Sequence, residues 1–245
     1  MQHHRQFITR FCMVCALFFS LPAGALAKNE CVVLLHGLAR VSNSMGELET
    51  KLTRSGYYVV NINYPSRRYE LELLAADAVS RGLAECYNQG AESIHFVTHS
   101  LGGILVRQYF QQQSNPLLGR VVMLGPPNQG SEIVDGLSPI PGFELLWGPT
   151  GVMLGTGPGS ILHDLGPVKF ELGVIAGTTN INPLNLFLMD GPNDSIVTVA
   201  STRVEGMSAH IVLPVTHTFM MRNNEVIDHT IHFLKTGSFM PEQAQ

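Results

Sequence analysis

The feature of this sequence that most constrains its fold is an alternation of short apolar runs with amphipathic stripes. The apolar runs lie at 31–36, 57–62, 93–98, 120–124, 172–176 and 210–213. Continuous apolar runs of this length are typical of strands that are buried on both faces. The stripes with helical spacing lie at 42–56, 70–87, 101–113 and 223–234. Repeated strand–helix units predict an α/β protein with a mostly parallel central sheet and helices on both faces.

The first 27 residues have the three-part pattern of a secretory signal. Arg5 and Arg10 precede an apolar run at 11–21, and the small residues Ala25 and Ala27 allow cleavage before residue 28. The apolar run is shorter than the ~20 residues that a membrane-spanning helix needs, which favours cleavage over an N-terminal anchor. We therefore expect a signal peptide at 1–27, one domain at 28–245, and export to the periplasm or the medium without a stable membrane anchor.

The composition argues against several classes of fold and partner. Apolar residues make up 45% of the 245 residues and charged residues 14%, with a net charge of −4. This apolar content is too high for a disordered chain or a coiled coil. The chain has no cluster of Lys and Arg in sequence, so we expect no nucleic-acid partner. The oligomeric state stays open.

The strongest local signal for chemistry is the segment VTHSLGG at 97–103, where a predicted strand turns directly into a predicted helix. A serine in such a turn has a strained backbone that exposes its hydroxyl above the carboxyl end of the sheet. This makes Ser100 the candidate nucleophile, with Gly102 and Gly103 allowing close approach of the helix. The usual pattern is G-x-S-x-G, and Thr98 stands in place of its first glycine.

A serine nucleophile needs a histidine as base and an acid that orients the histidine. His217 follows the last predicted strand, so it is expected at the same sheet edge as Ser100. Asp194 lies in a turn-rich loop after the strand at 172–176, and Asp190 is the alternative acid. The chain order serine, aspartate, histidine is the one used where a nucleophile lies on a strand-to-helix turn.

Backbone N–H groups are the expected donors to an oxyanion. The loop at 36–39 follows the first predicted strand, and Gly37 allows a tight turn that directs the N–H of Leu38 into the site. The N–H of Leu101, at the start of a helix, is the expected second donor. We expect His36 to support this loop with a hydrogen bond.

The other histidines and the glycine-rich segments predict neither a metal nor a cofactor. His99, on the turn beside the serine, is expected to point away from the site and to have a structural role, and His95 to lie in the core or at an interface. His229 and His232 are three apart on the last predicted helix, where a solvated face is favoured over a metal site. The segment at 155–160 lacks the Lys, the preceding strand and the following helix of a phosphate loop.

One segment interrupts the alternation. Neither Lys nor Arg occurs between Gly125 and Val168, and the part at 137–166 is rich in Gly, Pro and large apolar residues. A long loop of this kind in a compact domain is usually functional, which favours a lid or pocket wall that contacts an apolar group. A poorly ordered insertion and a contact patch for another protein are the alternatives.

Six segments together resemble the α/β-hydrolase superfamily, and bacterial lipases and esterases most closely. In chain order they are 35–38, 63–66, 98–103, 125–131, 193–197 and 216–217. The resemblance implies a serine hydrolase that acts through an acyl-enzyme on a small-molecule ester with an apolar acyl or alcohol part. Its triad would be Ser100, Asp194 and His217, and its oxyanion donors Leu38 and Leu101. A thioesterase, amidase or acyltransferase, or a non-catalytic binding protein, are the alternatives on this fold.

Cys31 and Cys86 are the cysteines that remain after the expected cleavage. Cys31 begins the first predicted strand, and Cys86 ends a helix that runs antiparallel to the strands, so both are expected at the amino edge of the sheet. A disulfide is plausible there, far from the expected catalytic edge, and two buried thiols are the alternative.

Overall fold

The computed structural model describes residues 29–157, 160–183 and 185–241. The expected signal peptide at 1–27 lies outside these residues, as does part of the glycine-rich segment at 155–160. Within the described ranges, no helix is both long and apolar enough to cross a membrane.

The six apolar runs form the strands of one sheet. The strands are β1 (Glu30–Leu35), β2 (Tyr58–Ile62), β3 (Ser93–His99), β4 (Leu118–Leu124), β5 (Leu172–Gly177) and β6 (Ala209–Leu213). Their spatial order is β2-β1-β3-β4-β5-β6, and every neighbouring pair is parallel. The chain moves outward from β1 to β2 and then returns to the other side of β1. Such a reversal creates a crevice at the carboxyl ends of the strands, where open α/β sheets bind ligands.

Helices pack on both faces of the sheet because alternate strand residues point to opposite sides. The helices are α1 (Gly46–Arg54), α2 (Leu71–Asn88), α3 (Leu101–Gln112), α4 (Glu132–Leu137), α5 (Phe143–Val152), α6 (Asn185–Leu188) and α7 (Asn224–Thr236), with 3₁₀ turns at Ser42–Met45, Ile161–His163 and His217–Arg222. Val33 and Leu35 of β1 belong to the core under α2 and α3, whereas Val32 and Leu34 belong to the core under α1 and α7. The predicted fold class is confirmed.

The last helix, α7, has the ends that its sequence indicates. Asn223 accepts a hydrogen bond from the N–H of Val226 at 3.1 Å, and Gly237 ends the helix in the left-handed conformation with φ +79°. His229 is buried on this helix, with its ring edge-on to Phe239. The expectation of a solvated face is therefore wrong for His229, because the chain beyond α7 folds back over it.

Cys31 and Cys86 form a disulfide, as the predicted elements indicated. Both residues are fully buried, and the bridge joins the start of β1 to the last turn of α2. This is the amino edge of the sheet, opposite the carboxyl ends of the strands. Closing a loop with a sequence separation of 55 stabilises the fold by about 4 kcal/mol through the entropy of the unfolded chain.

Candidate active site

Ser100 lies on a sharp turn between the last residue of β3 and the first residue of α3. Its φ of +51° and ψ of −119° are strained for a residue with a side chain. Two hydrogen bonds fix the turn: the N–H of Ser100 donates to the carbonyl of Leu124 at 2.9 Å, and the N–H of Gly103 donates to the carbonyl of Ser100 at 3.0 Å. The strain is thus held by β4 and by the helix that follows.

Two glycines let α3 lie close to the sheet at this turn. A Cβ on Gly102 would be 2.5 Å from the carbonyl oxygen of Leu35. A Cβ on Gly103 would be 3.2 Å from Oγ1 of Thr98 and 3.0 Å from Sδ of Met123. Thr98 is fully buried, and its hydroxyl has no hydrogen-bond partner among the described residues. The absence of a side chain at Gly103 therefore makes room for the threonine that replaces the pattern's first glycine.

Asp194 and His217 form a hydrogen-bonded pair. Nδ1 of His217 lies 2.7 Å from Oδ2 of Asp194, and the N–H of His217 donates to the Asp194 carbonyl at 2.9 Å. The other carboxylate oxygen accepts the N–H groups of Ile196 at 3.0 Å and Val197 at 2.8 Å. A proton on Nδ1 leaves Nε2 of His217 as the basic nitrogen. The alternative acid, Asp190, is exposed and makes no ion pair with His217 in the described structure.

Two glycines leave space for this pair, Gly125 directly after β4 and Gly177 at the end of β5. A Cβ on Gly125 would lie 3.0 Å from both Oδ2 of Asp194 and Nδ1 of His217, and Gly125 has a φ of +53°. A Cβ on Gly177 would lie 2.9 Å from Cβ of Asp194. Sequence reasoning gave neither glycine a role, although Gly125 begins the segment at 125–131 that contributes to the resemblance and Gly177 directly follows a predicted strand.

His99 lies against His217, so the expectation that it points away from the site is wrong. Its Nε2–H donates to the backbone carbonyl of His217 at 3.0 Å, and the two ring centroids are 4.7 Å apart. Burial, followed by the neighbouring His217, holds the pKa of His99 well below its usual value. His99 is therefore a neutral ring that fixes the backbone of the candidate base.

The loop after β1 is held beside Ser100 by His36 and Tyr64. The rings of His36 and Tyr64 are stacked with centroids 4.1 Å apart, and the Tyr64 hydroxyl donates to the His36 carbonyl. Nδ1–H of His36 donates to the carbonyl of Gly37 at 2.8 Å, while Nε2 accepts the N–H of Tyr64 at 3.3 Å. Burial lowers the pKa of His36 and keeps it neutral. A Cβ on Gly37 would lie 2.7 Å from Nδ1 of His99 and 3.3 Å from Cβ of Ser100, so a side chain at this position would displace His99.

Two backbone N–H groups at this point are available to an oxyanion. The N–H of Ala39 donates to Oγ of Ser66 at 3.0 Å. In contrast, the N–H groups of Leu38 and Leu101 have no acceptor within the described chain. Unpaired N–H groups beside a serine nucleophile are the donors that stabilise developing negative charge in serine hydrolases, and the assignment of Leu38 and Leu101 to this role stays a prediction.

A cavity of about 350 Å³ opens at Ser100. His99, Ser100 and His217 line its polar end, and no hydrogen bond joins the Ser100 hydroxyl to His217 in the described residues. Such contacts are often loose in ligand-free enzymes and tighten when substrate binds. The rest of the wall is mainly apolar, with Leu38, Ile133, Val134, Leu146, Trp147, Leu154, Ile196 and Val197.

The segment at 137–166 supplies Leu146, Trp147 and Leu154 to this wall. Its helix α5 is kinked at Gly148, where φ is +71° and a Cβ would overlap the carbonyl of Arg67. Thr150 donates to the carbonyl of Tyr69 at 2.7 Å. The segment is therefore docked on the loop after β2 as part of the cavity wall, and its movement as a lid stays a prediction.

Metal ligands are not grouped near the cavity or elsewhere in the part of the chain that the structure describes. No cluster of three or more His, Cys, Asp or Glu is arranged to hold a metal ion there.

No protein-family model and no curated protein matches this chain. Solved structures are similar to it in backbone. Lipase BlEst2 of Bacillus licheniformis in its mature form has a TM-score of 0.66 at 18% identity, covering 87% of this chain and 94% of that one. Phospholipase PlaB of Legionella pneumophila has a TM-score of 0.63 at 18% identity, covering 86% and 60%. Esterase RhEst1 of Rhodococcus sp. ECU1013 has a TM-score of 0.56 at 13% identity, covering 85% and 91%.

Proposed function

We propose that this chain, which has the α/β-hydrolase fold, is a serine hydrolase that cleaves carboxylic esters. The observation that carries the proposal is the Asp194–His217 pair, hydrogen-bonded at 2.7 Å, in the wall of the same cavity as Ser100 on its strained turn. The lipases and esterases with similar backbones support the same reaction class.

The proposed mechanism has two half-reactions. Oγ of Ser100 attacks the acyl carbon while Nε2 of His217 takes its proton, and the N–H groups of Leu38 and Leu101 stabilise the oxyanion. The protonated imidazole, oriented by Asp194, gives the proton to the departing alcohol. Water then attacks the acyl-enzyme with the same base, which releases the carboxylic acid and restores Ser100.

The apolar wall of the cavity supports an apolar acyl chain as the bound group. Thioesters and amides use the same machinery, so matched thioester and amide analogues of the preferred acyl chain distinguish an esterase from a thioesterase or amidase. The disulfide supports export of the protein, because disulfides persist in oxidising compartments. Export itself, with the signal peptide at 1–27, remains part of the proposal.

The test is turnover of p-nitrophenyl esters over a series of acyl lengths. We expect Ser100→Ala to lower kcat by at least about 10³-fold, and a fluorophosphonate probe to label Ser100 in the wild type only. Ser80→Ala, an exposed serine on α2, is the matched control and keeps full activity. If the wild type turns over no ester of any length and the probe does not label Ser100, the protein is not a serine hydrolase.

The two candidate acids are separated by a matched pair of variants. In Asp194→Asn the side-chain oxygen keeps the N–H groups of Ile196 and Val197, so the NH2 group faces Nδ1 of His217 and favours the wrong tautomer. A loss of kcat on the order of 10⁴-fold is expected. Asp190→Asn changes an exposed carboxylate and leaves kcat near the wild-type value. The opposite ranking would reassign the acid.

A further inference from the structure

A second cleft adjoins the cavity at Ser100. Ala39, Arg40 and Arg67 line both spaces, so the two adjoin at the loop after β1. The second cleft has a volume of about 600 Å³ and is also lined by Arg68 and Leu145. Among the described residues that line the two spaces there are three arginines and neither Asp nor Glu.

The positive charge of this cleft is not neutralised within the described chain. Among the described residues, the arginines that form ion pairs are Arg81 with Asp77 and Arg120 with Glu171, and neither of them lines the cleft. Arg40, Arg67 and Arg68 belong to none of these pairs, although Nη1 of Arg67 donates to the carbonyl of Leu146 at 3.2 Å. The chain as a whole is acidic, with a net charge of −4. A concentration of cations at the cavity of an acidic protein therefore favours an anionic ligand at this place.

Arg40 is close enough for its charge to act inside the cavity. The pKa of His99 is lowered first by burial and then by His217, and the guanidinium of Arg40 lowers it further. The cleft is therefore electrostatically coupled to the end of the cavity that contains Ser100.

The two spaces differ in chemistry and in exposure. Ile133, Val134 and Leu154 are buried in the wall of the first cavity only. The arginines are exposed, and Arg40 and Arg67 lie where the two spaces adjoin, whereas Arg68 lines the second cleft alone. An acyl group stays bonded to the serine and is best accommodated by the apolar wall, while the alcohol must leave to solvent. The exposed cleft is the side on which the alcohol can depart.

We propose that the substrate is an ester with an apolar acyl chain and an alcohol that carries an anionic group, phosphate or carboxylate. Arg40, Arg67 and Arg68 bind the anionic group, since planar guanidinium groups form paired hydrogen bonds with both anions. The bond that breaks is the carboxylic ester, so the products are a carboxylic acid and the anionic alcohol, with the phosphate or carboxylate unchanged. This substrate class rests on the proposed serine hydrolase function.

The test compares three esters with the same acyl chain: 1-octanoylglycerol, 1-octanoylglycerol 3-phosphate and 3-octanoylglycerate. We expect kcat/KM to be at least ~10-fold higher for one or both anionic esters than for the neutral ester, mainly through KM, and to fall with added salt for the anionic esters only. The phosphate and carboxylate arms identify which anion the cleft prefers.

The variant Arg40→Gln/Arg68→Gln leaves the Arg67–Leu146 contact intact. It should lower kcat/KM by ~10-fold or more for the preferred anionic ester and by less than ~3-fold for 1-octanoylglycerol. Arg54→Gln, at the end of α1 and outside both cavities, removes the same charge and is the matched control. Equal turnover of the neutral and anionic esters, or an equal loss on both in the double variant, would overturn the proposal.

Protection of Ser100 from a fluorophosphonate probe gives a second measurement that needs no turnover. Octyl phosphate or nonanoate should slow labelling of the wild type more than octanol does, and the double variant should abolish this difference. If labelling is normal and the anionic compounds protect no better than octanol, the anionic substrate class is wrong while the hydrolase function stands. If the probe does not label Ser100 and the protein turns over no ester, the hydrolase function and the anionic substrate class are both wrong.

Discussion

The absence of a side chain at Gly103 leaves space for the hydroxyl of Thr98 at the turn. In Gly103→Ala the new methyl group would meet Oγ1 of Thr98 at 3.2 Å and Sδ of Met123 at 3.0 Å. Both neighbours must move by a few tenths of an ångström, so we expect the free energy of unfolding to fall by about 1–3 kcal/mol. In a Thr98→Ala background the hydroxyl is gone, and the same substitution should cost about 0.5–1 kcal/mol less. Denaturant unfolding of the four proteins measures this coupling.

Gly102→Ala is the matched control for that cycle. Its methyl group would meet the backbone carbonyl of Leu35 at 2.5 Å, a contact that Thr98→Ala does not relieve. Its cost should therefore be the same in both backgrounds. If Gly103→Ala costs the same free energy of unfolding in the wild type and in the Thr98→Ala background, the Thr98 hydroxyl does not limit the space at position 103.

Single residues of the site differ in how far the sequence could predict them. Ser100 follows from a local pattern, and the structure does bring Asp194 and His217 together as their chain order suggested; their catalytic roles stay predictions. His99 was misjudged because its contact with His217 joins residues 118 apart in sequence and depends on how β3 and the 3₁₀ turn after β6 pack. Gly125 was missed for the same reason, since its importance is the space it leaves for a distant pair.

At the scale of elements, Arg107 links the segment at 137–166, which forms part of the cavity wall, to helix α3. This side chain is 4% exposed, and it donates to the carbonyl of Asn128 at 2.8 Å and to that of Gly166 at 3.0 Å. Burial lowers the pKa of Arg107 to about 10, so it remains charged at neutral pH. Asn128 precedes the segment at 137–166 and Gly166 is its last residue, so one guanidinium links the end of the segment to the chain that leads into it.

Replacing Arg107 should loosen the wall as well as destabilise the fold. Arg107→Met leaves the buried carbonyl of Asn128 without its donor, and we expect a loss of about 2–3 kcal/mol in the free energy of unfolding. Because Leu146 and Trp147 lie on the same segment, KM for an apolar ester should rise more than kcat falls. Arg107→Lys keeps the charge but cannot reach both carbonyls, so an intermediate effect is expected. If Arg107→Met loses stability but KM is unchanged, Arg107 stabilises the fold without positioning the cavity wall.

The elements themselves were predictable to different degrees. The six strands and the longer helices were predicted to within a few residues, because buried parallel strands and amphipathic helices have distinct periodicities. The helix α5 was not predicted, since it contains Gly148 at positive φ followed by Pro149. Such a helix has no clear periodic signal and forms where the segment docks on the loop after β2.

At the scale of the whole molecule, buried and half-buried histidines make stability depend on pH. Burial is the first cause of a lowered pKa in each of His36, His95, His99, His210 and His229. In the unfolded chain a histidine titrates near 6.5. Below that pH the unfolded state therefore binds more protons than the folded state, and the free energy of unfolding falls. The contribution of these histidines to the free energy of unfolding is fully present above about pH 6.5. It is lost as the pH falls toward the pKa that each histidine has in the folded state.

His210 of β6 is the residue on which this pH dependence can be tested. Burial, assisted by the charge of Arg203, lowers its pKa to about 4, and Nε2 lies 2.9 Å from the Thr202 hydroxyl. Its share of the stability lost between pH 6.5 and pH 5 is about 1–2 kcal/mol, after allowance for partial exposure. In His210→Gln the unfolded chain no longer binds a proton at this position. The free energy of unfolding of this variant should therefore decline less between pH 6.5 and pH 5. Denaturant unfolding of the disulfide-intact protein at pH 7.5, 6.5, 5.5 and 5.0 measures the slope. The exposed His163→Gln should leave the slope at the wild-type value, and a wild-type slope in His210→Gln would mean that His210 is not held neutral by the fold.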